Sequence, residues 1–283
     1  MKLCVDLGAT NVKSGLVEEN TIISSVLTPT DTNNGLVGVI GSLKKSIDKL
    51  INEGVTAICI SSAGKIDSQT CRVIYATDNL PGYTGFDLRA WVSETYNLPC
   101  VAINDGLAAL LGELALDEAY RSMRVAMLTL GSGVGGAYAV NGEIKADESN
   151  DFALFGHISI VQDGLPCNCG KRGCAEQYLS GRAINRFAAE QGIAKDMIFK
   201  EFAEGALRAR AVVGVLREYL RDTLIKVSET SPFDVCILGG GAVDGMGDSF
   251  ADIVGNLGFD IRRAKAGNAA GMLGAYYLGR ELP

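Results

Sequence analysis

Leu130-Gly131-Ser132-Gly133-Val134-Gly135-Gly136 joins two short apolar runs in the second half of the chain, and a counterpart, Asp6-Leu7-Gly8-Ala9-Thr10, stands within the first ten residues. Each is a turn of glycine and hydroxyl residues between β-rich segments, the pattern of a hairpin. Around the first turn, Leu3 to Leu7, Val12 to Val17 and Thr21 to Leu27 read as a three-stranded meander. Leu36 to Ile51 carries apolar residues at helical spacing, Gly54 stops it, and Thr56 to Ser61 returns as a buried strand. Loops run on through Gly85 with a turn at Pro81-Gly82, followed by a helix over Leu88 to Tyr96, a strand over Cys100 to Ile103 and a helix over Gly106 to Leu114. Around the second turn the same grammar recurs: strands Arg124 to Leu130 and Gly136 to Val140, an amphipathic stretch Met197 to Phe202, a helix Leu207 to Ser228 and a strand Val235 to Leu238. The chain therefore reads as a duplicated α/β protein of two domains, residues 1–115 and 116–266, with hinges near Gly112 to Arg124 and before Gly267. The Gly- and Ala-rich residues 267–283 are expected to form a helix that returns to the first domain. The two glycine turns are expected to face one another across a cleft.

Composition narrows the class. With 283 residues, 47% of them apolar and 21% charged, the chain is long enough to bury its own core. A net charge of -7 with no Lys/Arg cluster argues against a nucleic-acid surface. The first strand starts within the opening residues, leaving no separate helix-turn-helix region before it. Val125 to Gly142, the longest uncharged stretch, is broken by glycines into strand, turn and strand, so no membrane span is expected. Asp6 interrupts the apolar run a secretion signal requires, and Cys4, Cys59, Cys100 and Cys236 sit in apolar runs without paired spacing. Both features point to a reducing, cytoplasmic compartment.

Three further cysteines stand apart. Cys167, Cys169 and Cys174 fall within eight residues, beginning ten positions after His157, the single histidine of the chain. Three thiolates and one imidazole suit tetrahedral zinc, and Gly170 and Gly173 let the backbone turn tightly enough to converge them. With the imidazole committed to metal, histidine-based triads and proton relays are excluded, and a proton acceptor must be a carboxylate. Four ready ligands also close the metal site to hydrolytic chemistry.

The glycine turns point to phosphate. Small residues after a strand expose backbone N–H groups to an anion, and Leu238-Gly239-Gly240-Gly241-Ala242 supplies a third such strand end. A nucleotide held between domains is the expected guest, with the last loop near its base or ribose. Asn104-Asp105 closes one strand and opens a helix. Capping uses one of the two residues; the other carboxylate sits where a base that accepts a substrate hydroxyl proton belongs in phosphoryl transfer.

These residues together resemble the ROK sugar kinases, a family of the actin-like ATPase (duplicated ribonuclease H-like) fold with an interdomain cleft. Asp6 to Thr10 and Leu130 to Gly136 are similar to its two phosphate loops, Asn104-Asp105 to its Asn-Asp segment, Gly239 to Gly241 to its adenosine segment, and Gly156-His157 through Cys174 and Glu176 to its zinc signature. The resemblance implies a Mg-ATP-dependent kinase acting on a hexose or N-acetylhexosamine, usually at the 6-hydroxyl. It implies Asp105 as general base and Asn104, Gly64, Asn79, His157 and Glu176 at the sugar. Asp6, Gly8 and Thr10 would belong to the Mg-phosphate site, Gly131, Ser132 and Gly133 to the second phosphate loop, and Gly239, Gly240 and Gly241 to the nucleotide. His157, Cys167, Cys169 and Cys174 would hold a structural zinc, and a homodimer is implied.

The chain departs from the family pattern mainly around the sugar. Leu154 stands where a sugar-binding glutamate is usual, Asp147 and Asn150 replace glycines, Ser61-Ser62-Ala63-Gly64 lacks a proline, and Gly106-Leu107 replaces a small polar pair. Loss of one charge-assisted hydrogen bond costs on the order of 1.5 to 3 kcal/mol, so an altered sugar preference is expected. A non-catalytic sugar-binding regulator without a DNA-binding domain is the alternative, and retention of Asp105 argues for the enzyme.

Overall fold

The computed structural model describes residues 1–145 and 155–282 and divides the chain into two compact units, Met1–Glu118 with Ala269–Pro283, and Ala119–Asn268. Leu154, Asp147 and Asn150 lie outside the described residues.

The first unit opens with the meander β1 (Lys2–Leu7), β2 (Asn11–Glu18) and β3 (Thr21–Pro29). Helix α1 (Gly35–Asp48) follows; it buries Val39, Leu43 and Ile47, a stripe at four-residue spacing that packs on the sheet. Strand β4 (Ala57–Ser62) is buried throughout and runs parallel to β1, placing Ser61 beside Asp6. A hairpin of β5 (Lys65–Asp67) and β6 (Arg72–Tyr75) comes next, in a region where the sequence predicts only loops. Its strands are three and four residues long, and buried Ile66 and Val73 supply its hold on the core, too little alternation to stand out as a period. Helix α2 (Leu88–Tyr96), strand β7 (Cys100–Asn104) and helix α3 (Asp105–Leu116) complete the run, giving a sheet ordered β3-β2-β1-β4-β7.

The second unit repeats that plan. β8 (Arg124–Leu130), β9 (Val134–Val140) and β10 (Glu143–Ile144) form its meander. Helices α4 (Glu176–Leu179), α5 (Gly181–Glu190), α6 (Ile198–Ala203) and α7 (Leu207–Thr230) precede β11 (Val235–Gly239), and α8 (Gly241–Gly245) and α9 (Phe250–Val254) precede β12 (Ile261–Arg263). The sheet order is β10-β9-β8-β11-β12, with β8, β11 and β12 parallel. Two sheets that each run from an antiparallel meander into parallel strands realise the duplication expected from the sequence. Each has its own core: Leu3, Val5, Ile58 and Ile60 centre one, and Leu128, Leu220, Leu224 and Leu238 the other.

The last helix, α10 (Ala270–Gly279), belongs to the first unit, where it packs on α3, β1 and β4. It buries glycines and alanines because backbone comes close: a side chain on Gly274 would collide with the Ala108 carbonyl, and one on Gly112 would lie 2.7 Å from the Ala270 carbonyl oxygen. Among the described residues no helix is long and apolar enough to cross a membrane.

Candidate functional site

In the first unit, Asp105 is the first residue of α3 at the end of β7, with Asn104 as its N-cap. Asn104 is nearly buried, and both ends of its amide are engaged. Its oxygen accepts from the Gly106 and Leu107 N–H groups at 2.9 and 3.2 Å, and its Nδ2 donates to the Gly64 carbonyl at 2.8 Å and to Asp105 Oδ1 at 2.9 Å. Gly64 holds φ +101, and a side chain there would lie 2.8 Å from the Tyr75 carbonyl oxygen, so this turn admits only glycine without strain. The amide thus ties helix, strand end and turn together and fixes one oxygen of Asp105. Asp105 is exposed as a residue. Desolvation of its carboxyl group by the surrounding protein, and secondarily the charge of Asp6, push its pKa up to about 7.

Asp6 lies on β1 beside Ser61, whose hydroxyl donates to Asp6 Oδ1 at 3.0 Å, and Lys13 approaches its other oxygen at 3.4 Å. Gly271 of α10 makes room for this carboxylate, since a Cβ there would lie 2.8 Å from it. The turn after Asp6 is set by the Gly8 N–H bonded to the Asn11 carbonyl and by Thr30, whose hydroxyl donates to the Gly8 carbonyl at 2.7 Å; Thr10 is exposed. Asn79 is exposed in a loop anchored by buried Leu80 and Tyr83, and the Tyr83 hydroxyl reaches Ser62 Oγ at 3.1 Å. Ser61 and Gly271 border the Asp6 carboxylate, a placement the sequence does not reveal. Their signal lay in the parallel register of β1 and β4 and in the return of α10, which local patterns do not carry.

In the second unit, the structure brings two of the glycine loops together at the carboxyl ends of adjacent strands β8 and β11. Gly240 holds φ +92, and a Cβ on it would lie 2.7 Å from the Leu130 carbonyl oxygen. The Gly131–Gly133 turn closes through a Gly131 N–H to Gly133 carbonyl bond of 2.9 Å and is tied to α5 by the Gly181 N–H. Glu176, buried at the start of α4, accepts the Val134 N–H at 3.1 Å, and Gly133 has no space for a side chain because this carboxylate fills it. The sequence pairs Glu176 with the sugar; the structure gives one of its oxygens a role in shaping the second glycine turn.

The ligand atoms of His157, Cys167, Cys169 and Cys174 all lie within 4.8 Å of one another. Cys167 Sγ is 3.5 Å from His157 Nδ1, and Cys169 Sγ is 3.6 Å from Cys174 Sγ. Around a tetrahedral zinc with Zn–S near 2.3 Å and Zn–N near 2.0 Å, ligand atoms stand roughly 3.5 to 3.8 Å apart. The donor set therefore fits zinc in chemistry, and these two pairs fit it in spacing. Gly170 at φ +85 and Gly173 at φ +73 make the turns, and a side chain on Gly173 would collide with the Val161 carbonyl. Burial, then the hydrogen bonds Cys174 donates to the neighbouring thiols, push Cys174 up to about 12; a divalent ion would displace such protons on binding.

Two α/β units with matching five-stranded sheets, glycine turns at the strand ends and a carboxylate heading α3 are features of the actin-like ATPase fold. The ROK family model matches residues 2–281, and the chain belongs to that family. It is 32% identical to a glucokinase of Streptomyces coelicolor over 98% of this chain and 96% of that protein. It is 24% identical to the N-acetylmannosamine kinase of Haemophilus influenzae, over 97% and 94% of the two chains. Among solved structures it superposes on a ROK glucokinase of Streptomyces griseus, determined with glucose and AMPPNP, with a TM-score of 0.83, 26% identity and 99% of both chains covered.

Proposed function

We propose that this chain is an ATP-dependent kinase that transfers a phosphoryl group to a hexose or N-acetylhexosamine, at the 6-hydroxyl. The observation that carries the reading is Asp105: a carboxylate at a strand end, one oxygen held by Asn104, with its pKa raised to about 7. A general base works best when its pKa lies near the working pH, because it is then both ionised and basic enough to take a hydroxyl proton. Kinase and glucokinase relatives support the reaction class, and the glucose and AMPPNP in the Streptomyces griseus structure support the substrate pair for that fold.

In this reading Asp105 Oδ2 takes the proton as the sugar oxygen attacks the γ-phosphorus, and Asn104 holds Oδ1 so that the free oxygen keeps its direction. Asn104, Asn79 and the Gly64 turn border the sugar. Asp6 and Thr10 serve the magnesium-phosphate site, the Gly131–Ser132–Gly133 turn receives phosphate oxygens on backbone N–H groups, and the Gly239–Gly241 loop borders the nucleoside. His157 through Nδ1, Cys167, Cys169 and Cys174 would hold zinc, which supplies a structural cross-link when bound. That leaves His157 Nε2 and the second oxygen of Glu176 for sugar hydroxyls. Leu154 in place of the usual glutamate shifts the preference toward a sugar that lacks, or masks, one hydroxyl. The reading also takes the chain as a cytoplasmic homodimer, for which light scattering at assay concentration should give twice the chain mass.

The test is a panel of hexoses, deoxyhexoses and N-acetylhexosamines with Mg-ATP, scored for sugar phosphate. Turnover of at least one sugar, lost in Asp105→Asn while sugar binding persists, is the expected result. Sugar binding without turnover of any panel member would leave the non-catalytic regulator in place of the enzyme.

A further inference from the structure

Arg182, the second residue of α5, takes no part in the reading above. Helix α5 buries Ala183, Ile184 and Ala188, which leaves Arg182 exposed at the end of the helix that meets the Gly131–Gly133 turn. Its Nε donates to the Ser132 carbonyl at 3.0 Å, and its two Nη groups make no bond among the described residues. Arg186, one helical turn on, is different: its Nη2 donates to the Gln177 carbonyl at 2.7 Å, and its guanidinium lies 4.9 Å from the centroid of the Phe187 ring. One arginine is committed to the fold. The other is tethered through Nε with its forked end open.

The tether completes a pattern in the turn. The Gly131 carbonyl accepts the Gly181 N–H at 2.7 Å, the Ser132 carbonyl accepts Arg182, and the Gly133 carbonyl accepts the Gly131 N–H at 2.9 Å. All three carbonyl oxygens are thus occupied by protein donors, while the Ser132 and Gly133 N–H groups make no bond among the described residues. Such a turn presents the positive ends of its peptide dipoles to a ligand. Behind it lies the Glu176 carboxylate, which fills the space of a Gly133 side chain and accepts the Val134 N–H. A negative charge there opposes an anion on the turn, and Arg182, a cation bonded to the turn itself, offsets it. An arginine already held through Nε loses little freedom when its Nη pair closes on an anion, and the fork matches two phosphate oxygens.

We propose that Arg182 is a phosphate-binding residue: on the kinase reading above, on which this rests, its Nη groups donate to a phosphate of the triphosphate seated on the Gly131–Gly133 turn. The arginine recognises the phosphates of the donor and leaves the nucleoside to the Gly239–Gly241 loop. Its loss therefore weakens ATP and spares both adenosine and the sugar.

The experiment measures binding of Mg-AMPPNP and of adenosine to the full chain, prepared with zinc, by calorimetry in the parent, Arg182→Gln and Arg182→Ala, with melting curves as the folding control. Glutamine keeps a donor for the Ser132 carbonyl but lacks the charge and the fork, so it separates a phosphate contact from a brace of the turn. Both variants should bind Mg-AMPPNP about ten- to a hundredfold more weakly, the effect of one charge-assisted hydrogen bond, and adenosine as the parent does. In turnover, KM for Mg-ATP should rise with KM for the sugar unchanged. Parent-like binding of Mg-AMPPNP by Arg182→Gln would overturn the proposal and leave the kinase reading standing. A parent that binds no nucleotide would remove both. Labelling of the unsubstituted protein with phenylglyoxal, mapped by mass, decides the matter even if a variant fails to fold. Mg-AMPPNP should shield Arg182 where adenosine does not, and equal labelling with and without Mg-AMPPNP would count against the contact.

Discussion

Asp105 and Asn104 divide the work that a lone carboxylate at a helix start cannot do. Asn104 accepts the Gly106 and Leu107 N–H groups of α3, and Asp105 shares the Gly106 N–H through Oδ1 at 2.9 Å, which leaves Oδ2 available to a hydroxyl. With its pKa raised to about 7, Asp105 ionises as the pH passes through neutrality, so kcat/KM for the sugar should rise from pH 6 and level off above pH 8. Asp105→Asn should lower kcat by about 10²- to 10⁴-fold. The sign for stability is opposite to that for activity. A carboxyl whose folded pKa lies above its unfolded value favours the folded state at low pH, and that advantage is lost as the pH rises through the folded pKa. Thermal melts of Asp105→Asn above pH 8 should therefore match or exceed those of the parent. Asn104→Asp separates the two roles: it keeps an acceptor for the cap but sets a second carboxylate against Asp105 in place of the Nδ2 donor. The like charge favours protonated Asp105, so the midpoint of the pH-rate profile should move upward while the helix survives.

Among the elements, those with a strong period or a close-packed glycine pattern were legible in the sequence, and those held by distant contacts were not. The meander β1 to β3, helices α1, α2 and α7 and strands β8 and β11 all fall where alternation or helical spacing predicts them. The β5–β6 hairpin and α5 escaped. The hairpin owes its strands to two buried residues, and α5 has a short apolar face of Ala183, Ile184 and Ala188 that finds its partner across the core rather than along the chain. The candidate site divides in the same way. Asp105 and the cluster of His157, Cys167, Cys169 and Cys174 show in local spacing, whereas the Asp6–Ser61 bond and the neighbouring ends of β8 and β11 depend on register between strands far apart in sequence. The Gly and Ala composition of α10 was legible because close backbone approach requires it. Gly274→Ala should accordingly separate α10 from α3 and cost about 1 to 3 kcal/mol, read as a lower midpoint in urea. Because Gly271 of the same helix bounds the Asp6 carboxylate, the variant should also raise KM for Mg-ATP.

At the scale of the whole chain, the eight cysteines report on three environments that one titration can separate. Cys169 is exposed and the other seven are buried, yet Cys167 and Cys174 are buried inside a ligand set rather than in a sheet. If zinc occupies that set, it binds all three as thiolates, closes the loop from His157 to Cys174 and stabilises the second unit by its binding free energy. Native protein at neutral pH should then show no thiol that reacts rapidly with an aromatic disulfide reagent, because the exposed sulfur is itself a ligand. A chelator should release one zinc per chain and expose Cys169 first, followed by Cys167 and Cys174 as the turns at Gly170 and Gly173 lose their anchor, with a fall in melting temperature. Cys4, Cys59 and Cys236, sealed in strands of both sheets, should react only on global unfolding. A rapid thiol in protein carrying one zinc per chain would mean that Cys169 is not a ligand. A melting temperature indifferent to the chelator would mean that the His157–Cys174 turns are held by their backbone hydrogen bonds alone.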